Sequence, residues 1–211
     1  VPCLNKLGDI LIYSMTNSSD GIGEIIAKQN VNGSWIQIGS TIRGLVTGDA
    51  FGCGLKTNDN GTRIIVGAKD YNASKGYVQV YEYTNSEWTQ LGSTIYGSAS
   101  NGFFGNSVDI SSDGNKIAVG SHYENNGCVR LYEYINNDWS LIHSSINGST
   151  DERLGFNISL NSDGTMIGIS TYKTYDKIYR DNGSSWELYS TLNRNSNVFG
   201  NIVLNNDASI I

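Results

Sequence analysis

Apolar and polar residues alternate in short runs along most of the chain. Within Phe104–Trp139, Val108 and Ile110, then Ile117 and Val119, then Val129 and Leu131 stand two apart, with polar or small residues between them. A two-residue period sends alternate side chains to opposite faces of a strand. Turn-forming residues separate the runs: Ser111-Ser-Asp-Gly114, Glu124 to Gly127, and Asn136-Asn-Asp138. Asp-Gly supplies the positive φ that a tight hairpin needs. Trp139-Ser-Leu-Ile142 forms a fourth short run. The stretch predicts a four-stranded antiparallel meander of about fifty residues, the size of one propeller blade. Such a sheet cannot bury both faces alone, and stacking copies side by side solves this.

The pattern recurs about four times. Trp35, Trp88, Trp139 and Trp186 are 53, 51 and 47 residues apart. Phe51-Gly52, Phe104-Gly105 and Phe199-Gly200 mark first strands, and Leu154-Gly155-Phe156 stands there in the remaining copy. The hairpin turns are Asn60-Gly61, Asp113-Gly114 and Asp163-Gly164, with Asp207-Ala208 as a decayed fourth. Third strands are Gly76 to Tyr83 and Gly127 to Tyr134, with a weaker version at Asp176 to Arg180. Residues 1–211 therefore read as a single all-β, propeller-type domain, with units at about 49–100, 101–150 and 151–194. The fourth unit joins about 1–48 to 195–211, its first strand at Phe199 and its second, third and fourth at Ile10, Gly23 and Trp35. That seam carries 12 residues more than Phe104–Trp139. A four-bladed ring and a segment of a longer array both fit, and the repeat count favours the ring.

Composition supports the β reading. Gly is present 25 times, Asn 25 times and Pro once, which suits many tight turns. The net charge of −6 is scattered, with no basic block, so binding to nucleic-acid phosphates is not expected. No apolar run is long enough to insert in a membrane. A chain that starts at Val1 reads as a processed product or a piece of a longer protein. Cys3, Cys53 and Cys128 lack metal or redox spacing and read as small buried thiols, with one disulfide plus a leftover thiol as the alternative.

The motif Phe104-Gly-Asn-Ser-Val108, then Asp113-Gly114, then Ile117-Ala-Val-Gly120, together with Gly76-Tyr-Val-Gln-Val-Tyr81, resembles the FG-GAP repeat. That repeat builds the propeller of integrin α subunits and of many secreted microbial, algal and viral proteins. Trp88-Thr-Gln-Leu-Gly92 to Gly97 resembles the microbial and viral type. The resemblance covers nearly the whole chain. It implies adhesion, ligand display or a structural role in an extracellular assembly, at a cell, virion or particle surface. Some members bind calcium through Asp-x-Asp-x-Asp-Gly. Here Asp109-Ile-Ser-Ser-Asp113-Gly114 and Leu160-Asn-Ser-Asp163-Gly164 supply too few oxygen ligands, so these aspartates read as turn formers and no cofactor is expected.

The chemical groups point away from catalysis. His122 and His143 occupy different repeat positions and read as packed or solvated. No Gly-x-Ser-x-Gly elbow is present. The Ser-x-Asp-Gly turns lack the spacing of a sialidase Asp-box, and no acid–nucleophile pair for a glycosidase is nominated. The regular Trp positions read as wedges between blades or covers on outer edges. Tyr71, Tyr96, Tyr123 and Tyr172 fall in or near loops and are the candidate ligand residues. Sequons occur at Asn17, Asn32, Asn60, Asn72, Asn147, Asn157 and Asn182, and all but Asn157 fall in expected turns where N-glycosylation is accommodated. The expected role is non-enzymatic surface adhesion or structure through loops and subunit contacts. A protein or glycan is the expected partner, self-assembly a further one, a glycan-binding module the alternative, and a glycoside hydrolase the alternative behind that.

Overall fold

The computed structural model describes residues 1–15, 21–194 and 200–205. They form four antiparallel sheets in chain order. The first holds β1 (Pro2–Leu4), β2 (Ile10–Met15), β3 (Glu24–Val31), β4 (Ser34–Gln37) and β5 (Ile42–Arg43). The second holds β6 (Phe51–Thr57), β7 (Arg63–Ala68), β8 (Tyr77–Thr84), β9 (Glu87–Gln90) and β10 (Ile95–Tyr96). The third holds β11 (Ser107–Ile110), β12 (Lys116–Ser121), β13 (Cys128–Ile135), β14 (Asp138–Leu141) and β15 (Ile146–Asn147). The fourth holds β16 (Ile158–Leu160), β17 (Met166–Ile169), β18 (Tyr175–Asp181) and β19 (Trp186–Asn193). The one helical turn, Tyr71–Ser74, has positive φ at Asn72, Ala73 and Ser74, so it is a left-handed loop rather than a true α-helix.

Three sheets have five strands where four were expected. The outer strand breaks into two pieces, and both pair with the third strand. At the break, the amides of Ile38, Leu91 and Ile142 still donate to the third strand, to the carbonyls of Ala27, Val80 and Leu131. Their own carbonyls turn outward to the next sheet. Trp88 Nε1 donates to Ile38 (3.1 Å), Trp139 Nε1 to Leu91 (2.8 Å) and Trp186 Nε1 to Ile142 (3.4 Å). The tryptophans therefore tie each sheet to the one before it.

The hairpin turns make a second set of ties. Asn5, Asn58, Ser111 and Asn161 each open a turn closed three residues later by a glycine with φ between 64° and 77°. Their side-chain oxygens accept the amides of Ile10, Arg63, Lys116 and Met166. The next residue of each turn donates its amide to the neighbouring turn: Lys6 to Asp59, Asp59 to Ser112, and Ser112 to Ser162.

The core lies between sheets. Phe51, Phe104 and Leu154 are fully buried plugs at the three junctions. Each passes so close to the preceding sheet that only glycine fits beneath it. A Cβ on Gly23 would sit 2.2 Å from the Phe51 carbonyl oxygen, and one on Gly76 would sit 2.0 Å from that of Phe104. Middle strands such as β7 and β12 are buried on both faces, because a sheet packs on either side.

The seam differs from the sequence expectation. Pro2, Cys3 and Leu4 pair with Tyr13, Ile12 and Leu11, so the first sheet takes its inner strand from its own N-terminal residues rather than from the C-terminus. The reason is local: Asn5-Lys-Leu-Gly8 is a turn of the same kind as Asn58-Asp-Asn-Gly61, and it folds β1 back on β2. This accounts for the surplus residues at the seam. Residues 200–205 lie instead on the fourth sheet, where Ile202 N donates to Asn157 Oδ1 and Leu204 N to Ser159 Oγ, both at 3.1 Å. Phe199, Asn17 and Asp207-Ala208 lie outside the described residues. Cys3, Lys56, Asp109, Ser159 and Val203, from the inner strands and residues 200–205, border one cavity of about 260 Å³.

Candidate functional site

In each sheet, the loop after the second strand and the loop leading to the next sheet lie at the end opposite the hairpin turns. At this loop end Tyr96, Tyr123 and Tyr172 are exposed. Ala50, Phe103 and Arg153 hold the same repeat place, one residue before the buried plug, and all three have positive φ (58°, 57° and 46°). The chain must turn sharply there to drive Phe51, Phe104 or Leu154 into the junction. At Phe103 and Arg153 the half-buried side chain just before the plug lies between two neighbouring loops.

At Phe103 the neighbours are Lys69, whose Nζ lies 5.1 Å from the ring centroid, and His122 and Tyr123, whose rings lie 5.8 and 5.4 Å away. At Arg153 they are Tyr123 and Tyr172, whose ring centroids lie 4.7 and 5.1 Å from the guanidinium carbon. Arg153 Nη1 also donates to the Tyr123 hydroxyl at 3.3 Å. His122 packs edge-on against Phe156 at 5.2 Å. Burial, then the charges of Arg153 and Lys69, push the His122 pKa down to about 4, so the ring is neutral at neutral pH.

Of the four tyrosines expected to meet a ligand, Tyr96, Tyr123 and Tyr172 are 54, 48 and 41% exposed. Tyr71 is half-buried, an anchor against Tyr77 at 5.1 Å, and it lies 5.8 Å from Tyr96. Tyr77 is itself fixed, because its hydroxyl donates to Asp49 Oδ2 at 2.7 Å. Burial and this bond hold its phenol well above the usual range. The tyrosines thus meet as two pairs, Tyr71 with Tyr96 and Tyr123 with Tyr172 across Arg153. Sequence reasoning missed Arg153 and Phe103, whereas His122, expected to be packed or solvated, is packed. The signal for both was their shared place before the plug residue.

Several other charged groups at this end are answered internally. Glu124 pairs with Arg130, whose bond holds the carboxyl below its ordinary value, and Lys177 Nζ lies 2.6 Å from Glu152. Lys69 lies 3.0 Å from Asp70. Among the described residues Arg153 makes no ion pair.

The turn aspartates do structural work. Asp113 accepts from Ser111 Oγ and from the amide and side chain of Asn115, and Asp163 accepts from Thr165. Asp109 is buried, with its oxygens on the amides of Ile110 and Leu160, and burial pushes its carboxyl up. Among the described residues no group of three His, Cys, Asp or Glu is placed to hold a metal. The three cysteines are unpaired, with Cys128 buried and Cys3 and Cys53 half-buried. Burial raises all three thiols, Cys3 to about 11. His143 Nε2 lies 2.9 Å from Asp181 beside the Trp186 ring, far along the chain from the loop cluster. Asn32, Asn60, Asn72, Asn147 and Asn182 are exposed in turns or at short strand ends, whereas half-buried Asn157 is engaged by Ile202. No family model matches the chain, and no curated protein matches its sequence.

Proposed function

We propose that the chain is a β-propeller-like array of FG-GAP-like repeats that serves, without catalysis, as a recognition module on an extracellular, cell or particle surface. Stacked sheets whose inner strands share one cavity support the propeller reading. The observation that carries the functional reading is the loop end: Tyr123 and Tyr172 are exposed beside Arg153, which no carboxylate among the described residues answers, and Tyr96 is exposed against Tyr71. Tyr and Arg are the residues that most often dominate binding surfaces, because each buries a large rigid area and keeps a polar edge. The exposed sequons Asn32, Asn60, Asn72, Asn147 and Asn182 are the sites that would carry sugar in a eukaryotic secretory route.

The test is binding of labelled chain to intact cells and particles from the native source, with Tyr123→Ala and Tyr172→Ala as comparators. A tenfold or greater loss in both variants is expected. Unchanged binding in both would remove the loop end from the function.

A further inference from the structure

We infer that Arg153 and its two flanking tyrosines form a site for an acidic saccharide, whose carboxylate or sulfate meets the guanidinium while its sugar ring lies on an exposed tyrosine. This deepens the recognition reading above and rests on it. A guanidinium with aromatic rings on its faces keeps its N–H edge for an oxyanion that offers two oxygens, and charge-assisted pairs of this kind are strong and directional. Here Tyr123 and Tyr172 lie 4.7 and 5.1 Å from the guanidinium carbon, and the Tyr123 hydroxyl takes one N–H. The remaining donors have no carboxylate partner among the described residues, although Glu124 and Glu152 in the same loops are each matched to another cation.

Two further observations point to a ligand. Arg153 holds φ +46°, a conformation disfavoured for a long side chain, and its repeat counterparts Ala50 and Phe103 share it, so the fold imposes the geometry and the residue type is free to vary. Arg153 and Lys69 are the two cations beside this cluster, and Lys69 is matched by Asp70 at 3.0 Å whereas Arg153 has no carboxylate partner among the described residues. Exposed tyrosine rings favour a sugar over an acidic peptide, because the apolar C–H face of a pyranose matches an aromatic face.

The experiment measures binding of the intact chain to a hyaluronan octasaccharide, a heparin octasaccharide, uncharged chitohexaose and poly-glutamate, by calorimetry at low and at physiological salt. Both acidic saccharides are expected to bind at least tenfold more tightly than chitohexaose, and to weaken as salt rises. A preference for hyaluronan identifies the carboxylate as the recognised group, and one for heparin identifies the sulfate. Arg153→Met should abolish binding and Arg153→Lys should weaken it about tenfold, since an ammonium lacks the planar fork. Lys69→Gln, outside the tyrosine pair, should weaken it less than threefold. Near-ultraviolet dichroism of each variant establishes that it is folded. Chitohexaose binding as well as the acidic sugars, poly-glutamate binding better than both, or unaltered binding by folded Arg153→Met would each overturn the proposal. Loss of cell binding in Arg153→Met without saccharide binding removes the ligand class alone. Intact cell binding in the Tyr123 and Tyr172 variants removes the recognition reading itself.

Discussion

Trp35 and Trp139 occupy the same place in two sheets and meet different surroundings. Trp139 is 9% exposed, its indole N–H donates to Leu91, and Gly92 lies against its ring. Trp88 repeats this with Ile38 and Gly39. Trp35 is 39% exposed, beside exposed Val31 and Ile36. The strands around the three residues are alike: each follows a two-residue turn and pairs with the end of a third strand. The neighbour makes the difference. Trp88 and Trp139 have a preceding sheet whose outer strand breaks to present a carbonyl, and among the described residues no sheet precedes β1–β5. In this protein the same residue at the same repeat position is core or surface according to what stands beside it. Stability therefore resides in junctions more than in sheets.

The largest effect should separate these positions directly. Trp88→Ala or Trp139→Ala should cost about 3–5 kcal/mol in denaturant unfolding, and Trp35→Ala about 1 kcal/mol or less. Equal costs would mean that the first sheet is packed as tightly as the others. A second contrast uses glycine. Gly67→Ala puts a methyl 2.0 Å from the Gly105 carbonyl oxygen across the second junction and should cost up to about 3 kcal/mol. Gly33→Ala, with open space around it but φ +87°, should cost about 1 kcal/mol, and a reversal of this order would refute the junction account.

The third effect is acid sensitivity at the junction that holds His122. Its folded pKa is about 4 against an ordinary 6.5, so between those values the unfolded chain binds a proton that the folded chain does not. Stability should be complete above about pH 6.5, fall as the pH drops, and level off below about 4. The loss should be about 2 kcal/mol after allowance for solvent screening. A His122→Phe variant should flatten that slope in urea titrations at stepped pH, and an unchanged slope would place the titrating group elsewhere. The smallest effect belongs to the edge again. Lys6 reaches Asp59 at 2.8 Å in an exposed ion pair, and Lys6→Ala should cost no more than about 0.5 kcal/mol and vanish in high salt.

Much of this fold was legible in the chain. The spacing of the tryptophans, the Phe-Gly pairs and the Asp-Gly turns located the sheets and their order, because those residues serve backbone needs that recur in every copy. Two features were hidden. The turn at Asn5-Lys-Leu-Gly8 lacks the Asn-Gly or Asp-Gly pair that announces the others, although Asn5 performs the same capping as Asn58. The sequence alone therefore assigns the N-terminal sheet a strand from the other end of the chain. It also reads the outer strands as continuous, because hydrophobic alternation does not reveal a carbonyl turned toward a neighbour. At the candidate site, the tyrosines were visible as loop aromatics. Their pairing through Arg153 was not, because Arg153 lies 30 residues from Tyr123 and 19 from Tyr172 and only the stacking of sheets brings the three together.

The hairpin-turn amides and the tryptophan indoles fasten neighbouring sheets at one end of the strands, the turns on the inside and the indoles on the outside. The residue before each plug is displayed at the other end, where the same backbone conformation carries Ala50, Phe103 and Arg153 in turn. These ties lie away from the display positions, but the buried plug that follows each display residue fastens its junction at the display end as well. Side chains can therefore vary at the display positions within the limits that a positive φ beside a joint imposes. For protein engineering, positions 50, 103 and 153 are natural places to begin a randomised binding library.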